Sequence, residues 1–178
     1  MSKDIVANLK ALRLYGMAAN WSEVVAHPRH AGLEPDSFMK ALLDAEVAER
    51  DVRSIAYQNL SARFPAHKDL AGFDFTSSTV AEKLVRELHT AAFTDQMQNV
   101  VFIGGPGTGK THLATALGVE AIHKHRKRVR FYSTVELVNA LEQEKASGRA
   151  GQLAHKLSNV HMVILDELGY LPFSASGG

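Results

Sequence analysis

The sequence has no cysteine, and this absence excludes several classes of site. Without a thiol the chain can form no disulfide, no thiolate metal site and no cysteine nucleophile. It also lacks any uninterrupted apolar run of the roughly 18–20 residues that a membrane helix needs. The amino terminus soon becomes amphipathic and has neither the apolar run nor the cleavage site of a signal peptide. We therefore expect a cytoplasmic protein without a membrane partner.

Charge is nearly balanced, with 20 Lys and Arg against 19 Asp and Glu and a net charge of +1, so the total gives no sign of nucleic-acid binding. One basic concentration nevertheless stands out, formed by Lys124, Arg126, Lys127, Arg128 and Arg130. Cations at the C-terminal end of a helix are stabilised by the helix dipole. The same residues could contact DNA phosphates without sequence preference. The two interpretations are compatible.

The first third of the chain has helical patterning. Apolar residues recur at helical spacing over residues 4–26 and predict one helix. Prolines and a glycine in residues 28–35 predict a loop. Asp36 or Ser37 can cap a second helix that runs to about Leu60.

These patterns predict three parts along the chain. Residues 1–66 form a helical N-terminal module that could dock a partner or DNA. Residues 67–79 form a linker. Residues 80–178 form an α/β core, because short apolar runs there alternate with helical stretches, as in a parallel sheet. Its expected elements are a helix over 80–92 with Thr79 and Glu82 as a capping box, strands at 99–103, 129–132 and 161–165, and helices over 111–125, 135–146 and 152–158.

A glycine-rich loop carries the most specific motif. It matches the phosphate-loop pattern G-x-x-x-x-G-K-[ST] between a predicted strand and a predicted helix, which is the setting that this motif requires. Glycines allow backbone N–H groups to turn toward phosphate oxygens, and the helix start adds unpaired N–H groups. Lys110 can place its charge on the β- and γ-phosphates, and Thr111 can offer its hydroxyl to Mg²⁺. The candidate nucleotide-binding residues are Gly104, Gly105, Pro106, Gly107, Thr108, Gly109, Lys110, Thr111 and His112; the last of these follows the motif and is expected to pack or to face solvent.

A second candidate element lies 55 residues downstream, where an apolar strand ends in two carboxylates. Asp166 would hold Mg²⁺, directly or through water. Glu167 is placed to act as the general base that polarises the attacking water. An adjacent Asp-Glu pair favours hydrolysis of the nucleotide over transfer to a small acceptor. The sequence therefore predicts an ATPase site that uses ATP and Mg²⁺.

With these motifs in place, the chain resembles the IstB-like ATPases, which are transposition helper proteins of insertion sequences. Their relatives are the DnaC-type helicase loaders of the AAA+ class. The resemblance covers the whole chain and is most specific after the second carboxylate. Its marks are Leu12-Arg13-Leu14 with Gly16-Met17, Ala45-Glu46 with Ala48-Glu49-Arg50, Phe73-Asp74-Phe75, the loop and helix start from Gly104 to Ala114, and the run from Asp166 to Pro172.

The resemblance implies an AAA+ type P-loop sheet and an ATP-dependent homo-oligomer. Such an oligomer assembles on double-stranded DNA and recruits or activates a transposase, with ATP between adjacent subunits. Phe73 and Phe75 fall where such proteins cover the adenine. An alternative is that both rings anchor the linker to the core, and both roles could hold together.

This sequence also departs from the family pattern, since relatives continue well past the second carboxylate motif. A following strand with a polar γ-phosphate sensor and an arginine that reaches a neighbour's site are not in the sequence. The missing strand would lie between the strand before the phosphate loop and the strand that ends at Asp166, leaving two open edges. We therefore expect a member truncated at its C-terminus, in which nucleotide binding is better supported than turnover.

Two other functions compete with the transposition helper. The first is a helicase loader that acts on single-stranded DNA, and the run from Leu168 to Pro172 argues against it. The second is a non-catalytic remnant that binds nucleotide or assembles with full-length copies. Comparing the affinity for duplex and single-stranded DNA would separate helper from loader, and absence of turnover would favour the remnant.

Overall fold

The structure is a computed structural model that describes residues 2–26 and 35–168. The chain divides into two compact units, Met1–Ala56 and Tyr57–Gly178. The division predicted at residue 66 stays a prediction. The helices and strands of the described residues are α1 (Ser2–Ala11), α2 (Tyr15–Ala26), α3 (Pro35–Ala62), α4 (Glu82–Leu88), α5 (Ala92–Asp95), α6 (Lys110–His123), β1 (Val129–Ser133), α7 (Thr134–Ala146), α8 (Gln152–Ser158) and β2 (Met162–Asp166).

The first unit is helical, but the single helix predicted over residues 4–26 is wrong. The chain leaves α1 at Arg13, whose φ of 60° lies in the left-handed region. The Leu14 N–H donates to the Leu9 carbonyl at 2.9 Å, and the Arg13 N–H donates to the Lys10 carbonyl at 3.0 Å. This pair of bonds is a Schellman motif, which ends a helix by satisfying its last carbonyls. The predicted second helix is confirmed as α3, but the cap predicted at Asp36 or Ser37 is wrong, because the helix begins at Pro35 and both residues lie inside it. Most of the predicted loop over 28–35 lies outside the described residues.

Glu46 of α3 caps the start of α2. Its side chain is almost fully buried, and Oε2 accepts the N–H of Gly16 at 2.7 Å and that of Met17 at 3.2 Å. Oε1 accepts a hydrogen bond from Arg50 Nε at 2.7 Å, and Arg53 is a second cation at 3.8 Å. The first N–H groups of a helix have no partner within the helix. Glu46 therefore supplies from a neighbouring helix the acceptor that the sequence around Tyr15 lacks.

The N-terminal unit should lose stability as the pH falls below about 4.5, the ordinary pKa of this carboxyl group. Burial alone would raise the pKa of Glu46, but hydrogen bonds from Arg50, Met17 and Gly16 outweigh it, so the pKa is lowered. A carboxyl group whose pKa is lowered by folding contributes stability above its unfolded pKa, and that contribution is lost as the pH falls through the folded pKa.

Urea unfolding at neutral and acidic pH would measure this loss. Trp21 is the only tryptophan of the sequence and lies in α2, with its ring 5.7 Å from that of Phe38, so its fluorescence follows this unit. Glu46→Gln should weaken the pH dependence, whereas the more exposed Glu49→Gln should leave it close to that of the wild type. Equal pH dependence in wild type and Glu46→Gln would contradict the role given to this carboxylate.

The second unit is α/β, as predicted. Strands β1 and β2 are parallel, in a register that pairs Val129 with Met162 and Ser133 with Asp166. Helix α6 packs closely on β2 at Gly118. A Cβ on this glycine would stand only 2.9 Å from the Ile164 side chain. Since parallel strands end at the same edge of a sheet, this register brings Ser133 and Asp166 to one edge beside the start of α7.

The strand predicted at residues 99–103 is wrong. This stretch has no regular secondary structure, and Val101 and Ile103 are 74% and 93% exposed. Among the described residues β2 pairs with β1 alone, so no strand supplies this stretch with ladder hydrogen bonds. β-branched residues favour a strand only where a partner and a packed face exist.

The capping box predicted at Thr79 and Glu82 is also wrong. Helix α4 begins at Glu82 with Ala81 as its N-cap, and no side chain caps it among the described residues. The serine one position earlier, Ser78, accepts the Val80 N–H at 3.2 Å instead. The helix ends at Leu88 and not near residue 92, because Ala91 adopts the left-handed region with a φ of 57°.

A membrane-spanning helix is not found in the part of the chain that the structure describes, since no helix there has both the length and the hydrophobicity.

Candidate functional site

The glycine loop leads directly into α6, and its backbone has the conformation that its glycines permit. Gly107 and Gly109 have φ values of 74° and 87°, where side chains other than hydrogen are strained. Gly109 is the N-cap of α6, and no described side chain caps the helix. The first N–H groups of α6 thus have no described side-chain acceptor, which leaves the start of the helix suited to an anion.

Lys110 folds back over this loop. Its ammonium group donates to the carbonyl oxygens of Gly104 at 2.9 Å and Gly105 at 2.6 Å. The Thr108 hydroxyl donates to the same Gly105 carbonyl at 2.8 Å. The loop therefore carries a positive charge directly above its backbone.

The two predicted halves of the site meet. The Thr111 hydroxyl donates to Asp166 Oδ2 at 2.8 Å across 55 residues of sequence. The Glu167 N–H donates to Asp166 Oδ1 at 3.0 Å. Both carboxylate oxygens of Asp166 are thus engaged, which fixes the orientation of the carboxylate beside the first turn of α6.

Thr134 holds the main chain of Asp166 in place, and it is a site residue that the sequence motifs did not predict. It is 5% exposed, and its hydroxyl donates to the Asp166 carbonyl oxygen at 2.7 Å. The signal that could have found it is its position, since a polar residue directly after a parallel strand lies at the edge where the strands end.

Glu167 extends from this edge into solvent. It is exposed, and no described residue forms a hydrogen bond or ion pair with its side chain. Its φ of 61° is unusual for a residue with a side chain. Such a backbone conformation costs about 1 kcal/mol or more, and it persists where surrounding contacts enforce it. Here the hydrogen bond from its N–H to Asp166 is such a contact.

Phe73 and Phe75 of the linker lie against the core next to the loop. Their rings meet edge to face at 4.9 Å, and both pack on a cluster of Leu70, Val85 and Leu113. Both rings therefore anchor the linker, as one of the two interpretations of the sequence expected.

Phe73 also touches the glycine loop. A Cβ on Gly109 would stand 2.6 Å from Phe73 Cε2, so the ring occupies the space that a side chain at position 109 would need. The glycine loop and the aromatic linker are consequently in direct contact.

Asp74, between the two rings, fixes the turn that follows Phe73. It accepts hydrogen bonds from the Ser77 hydroxyl, from the Thr76 hydroxyl at 2.6 Å and from the Thr76 N–H at 2.9 Å. These bonds, that of Ser77 first, lower the pKa of Asp74 to about 2. The carboxylate therefore stays ionised at neutral pH.

The basic residues lie away from this site, after the C-terminal end of α6. The helix has 14 residues, so its two ends are about 20 Å apart. Lys124 pairs with Glu120 at 2.8 Å, and Lys127 pairs with Asp95, lowering the pKa of the Asp95 carboxyl group. Arg130 Nη1 donates to the Val129 carbonyl at 2.9 Å. Part of the charge in this run is thus neutralised locally, and its contact with DNA stays a prediction.

Comparisons with known proteins point to one family. A family model described as IstB-like ATP binding protein matches residues 7–178. A protein of Geobacillus stearothermophilus, named as an ATP-binding protein of insertion sequence IS5376, is 35% identical over 161 residues, which cover 90% of this chain and 64% of the relative. A protein of Pseudomonas aeruginosa, named as an ATP-binding protein of insertion sequence IS21, is 39% identical over 138 residues, which cover 77% of this chain and 52% of the relative.

The chain spans about half to two thirds of the length of these relatives. The family match nonetheless includes the glycine loop, Asp166 and Glu167, together with the linker that carries Phe73 and Phe75. The chain belongs to the family of IstB-like ATP-binding proteins.

Proposed function

We propose that this chain binds Mg·ATP at the glycine loop and is an ATPase component of an insertion-sequence transposition system. One observation carries the proposal: Thr111 at the start of α6 and Asp166 at the end of β2 are joined by a hydrogen bond of 2.8 Å. A chance match to the loop motif would not be expected to place its threonine on a strand-end carboxylate. Membership of the IstB-like family and the names of the relatives support the same proposal.

Lys110 and the loop backbone would hold the phosphates. In the structure the ammonium group is bonded to two loop carbonyls, and phosphate oxygens are stronger acceptors for it because they are charged. Lys110 would exchange these carbonyls for the β- and γ-phosphates, while the N–H groups at the start of α6 donate to the same anion.

Thr111 and Asp166 fit a magnesium ion. Both present oxygen atoms, which are the ligands that Mg²⁺ prefers, and they already lie within hydrogen-bonding distance of each other. The described residues contain no group of three or more His, Asp or Glu that could hold a metal without help. This suits Mg²⁺, which commonly takes only one or two protein ligands and completes its shell with phosphate and water.

Glu167 would orient and polarise the attacking water. Its carboxylate is exposed next to Asp166 and has no partner among the described residues, so it is available as a general base. When bound, ATP supplies the phosphoanhydride bond that is hydrolysed. Phe73 and Phe75 would offer the adenine an apolar surface that adjoins the loop.

The transposition role would require further partners. We propose a homo-oligomer on double-stranded DNA that recruits or activates a transposase, since both relatives are named for insertion sequences. Lys124, Arg126, Lys127, Arg128 and Arg130 are the residues proposed for DNA contact. Because they lie about 20 Å from the loop, DNA and nucleotide could bind together.

Mg·ATP affinity and turnover, measured with and without duplex DNA, test the proposal. Lys110→Ala should weaken ATP binding about 100-fold, because it removes charge-assisted hydrogen bonds to phosphate. Glu167→Gln should keep the affinity and lower turnover by about 100-fold or more, the typical contribution of a general base. Lys156→Ala, an exposed lysine on α8, is the matched control and should change neither.

The outcomes separate the parts of the proposal. Unchanged affinity in Lys110→Ala would overturn the nucleotide site. Binding without turnover in the wild type would leave the nucleotide site intact and make this chain a non-catalytic binder. Stimulation by duplex DNA that is absent with single-stranded DNA would support the transposition role, and the reverse would favour a helicase loader.

A further inference from the structure

His112 joins the linker to the helix that starts at the glycine loop. Its Nε2 lies 2.7 Å from the Asp69 carbonyl oxygen. A carbonyl oxygen can only accept, so the imidazole must carry its proton on Nε2 and donate it. The contact therefore ties residue 69 of the linker to the first turn of α6, one residue after Thr111.

The linker is organised around this point. Asp69 Oδ1 accepts the Gly72 N–H at 2.8 Å, and the Phe73 N–H donates to the Leu70 carbonyl at 3.3 Å, so residues 69–73 form a compact turn. The Phe73 ring meets the His112 ring edge to face at 5.3 Å.

Helix α6 contacts this turn through two neighbouring residues. Leu113 packs on Leu70 within the core, while His112 makes the hydrogen bond outside it. Apolar packing is not directional and would tolerate sliding of the linker. A hydrogen bond depends on distance and angle, so His112 is the contact that sets where the turn, and with it Phe73, lies along α6.

We propose that His112 is a positioning residue that holds Phe73 against Gly109 and thereby makes the site prefer ligands in which a flat ring is attached to the phosphate chain. The class of ligand is a nucleoside triphosphate, as opposed to an inorganic polyphosphate. The inference rests on the proposed nucleotide site and adds a determinant of specificity to it. His112 contacts neither the phosphates nor the attacking water in this role, and it acts through Phe73.

Calorimetric titration with Mg·ATP and with magnesium tripolyphosphate tests the role. His112→Ala should weaken Mg·ATP binding about 5- to 10-fold, the usual worth of one hydrogen bond, and should leave tripolyphosphate binding within about twofold. His112→Gln retains a donor and should recover most of the loss. His155→Ala, an exposed histidine on α8, is the matched control and should change neither affinity.

A purely structural histidine would give a different result. If His112→Ala weakened both ligands equally, or neither, the specificity role would be overturned. If His112→Gln folds normally but does not recover Mg·ATP affinity, the hydrogen bond is not the cause of the affinity lost in His112→Ala.

Amide hydrogen exchange separates this inference from the proposed function, because it needs no ligand. The Gly72 and Phe73 amides should exchange about 5-fold faster in His112→Ala, while amides in the middle of α6 keep their protection. Unchanged exchange at both amides would show that the His112–Asp69 hydrogen bond does not hold the turn, whether or not ATP binds. If the wild type binds no ATP but the two amides still exchange faster in His112→Ala, the hydrogen bond between His112 and Asp69 is supported as a contact. The role of His112 in ligand preference is then overturned together with the proposed nucleotide site.

Discussion

Gly109→Ala should weaken Mg·ATP binding about 100-fold. Two costs combine at this position. The φ of 87° lies in a region that costs a residue with a side chain roughly 1–2 kcal/mol. The new Cβ would also stand 2.6 Å from Phe73 Cε2 and 3.3 Å from Phe73 Cζ, and such overpacking costs about 1–3 kcal/mol. The binding-competent loop would thus be disfavoured by about 3 kcal/mol, which corresponds to the stated loss.

Two variants isolate the two costs. Gly148 has a similar φ of 68°, but a Cβ there would meet nothing within 4 Å, so Gly148→Ala measures backbone strain alone. It should lower stability by about 1 kcal/mol and leave ATP affinity unchanged. Phe73→Ala loses packing on Leu70, Val85 and Leu113 but removes the collision. Gly109→Ala should therefore cost less stability in the Phe73→Ala background than in the wild type. An equal cost in both backgrounds would show that the ring does not lie against Gly109.

The candidate site residues could be predicted from sequence because each belongs to a short local motif. A glycine loop before a helix fixes where Lys110 and Thr111 must lie. Asp166 was assigned to the same magnesium site as Thr111 because an apolar strand that ends in two carboxylates is the second half of a P-loop site. The structure joins the two side chains by a hydrogen bond of 2.8 Å, and their roles stay a prediction. Thr134 was missed because the sequence gives no distance between a backbone carbonyl and a hydroxyl from another strand end.

The wrong predictions have physical causes that a local pattern does not contain. Residues 99–103 have the composition of a buried strand, but strand formation depends on a partner, and none of the described strands pairs with them. Helix α1 ends at Ala11, and Arg13 takes the left-handed position beyond its end, where helices of this kind usually have glycine. The hydrogen bonds of Leu14 and Arg13 satisfy the last carbonyls and offset the strain at an ordinary residue.

The N-terminal unit depends on a close approach of two helices, which makes Gly16→Ala the second variant of large effect. A Cβ at this position would stand 2.5 Å from the Ala45 carbonyl oxygen and 2.6 Å from Glu46 Cα. Both are backbone atoms of α3, so no change of rotamer can relieve the contact. The helices would have to move apart, at a cost of about 3 kcal/mol.

Such a loss is large for a unit of this size. A folded unit of 56 residues has a free energy of unfolding of roughly 5 kcal/mol. Separation of α2 from α3 would also lengthen the hydrogen bonds from Gly16 and Met17 to Glu46, leaving a buried carboxylate with fewer donors. The two effects share one cause, so Gly16→Ala and Glu46→Gln should be less than additive when combined.

Urea unfolding followed by Trp21 fluorescence measures the effect. Ser22→Ala, on the exposed side of α2, is the matched control and should change stability by about 0.5 kcal/mol or less. A similarly small change in Gly16→Ala would show that α2 and α3 do not approach as closely as the structure has them. If the losses in free energy of unfolding from Gly16→Ala and Glu46→Gln add fully in the double variant, the helix contact and the cap act independently. A shared cause predicts that the double variant loses less stability than the sum of the two single variants.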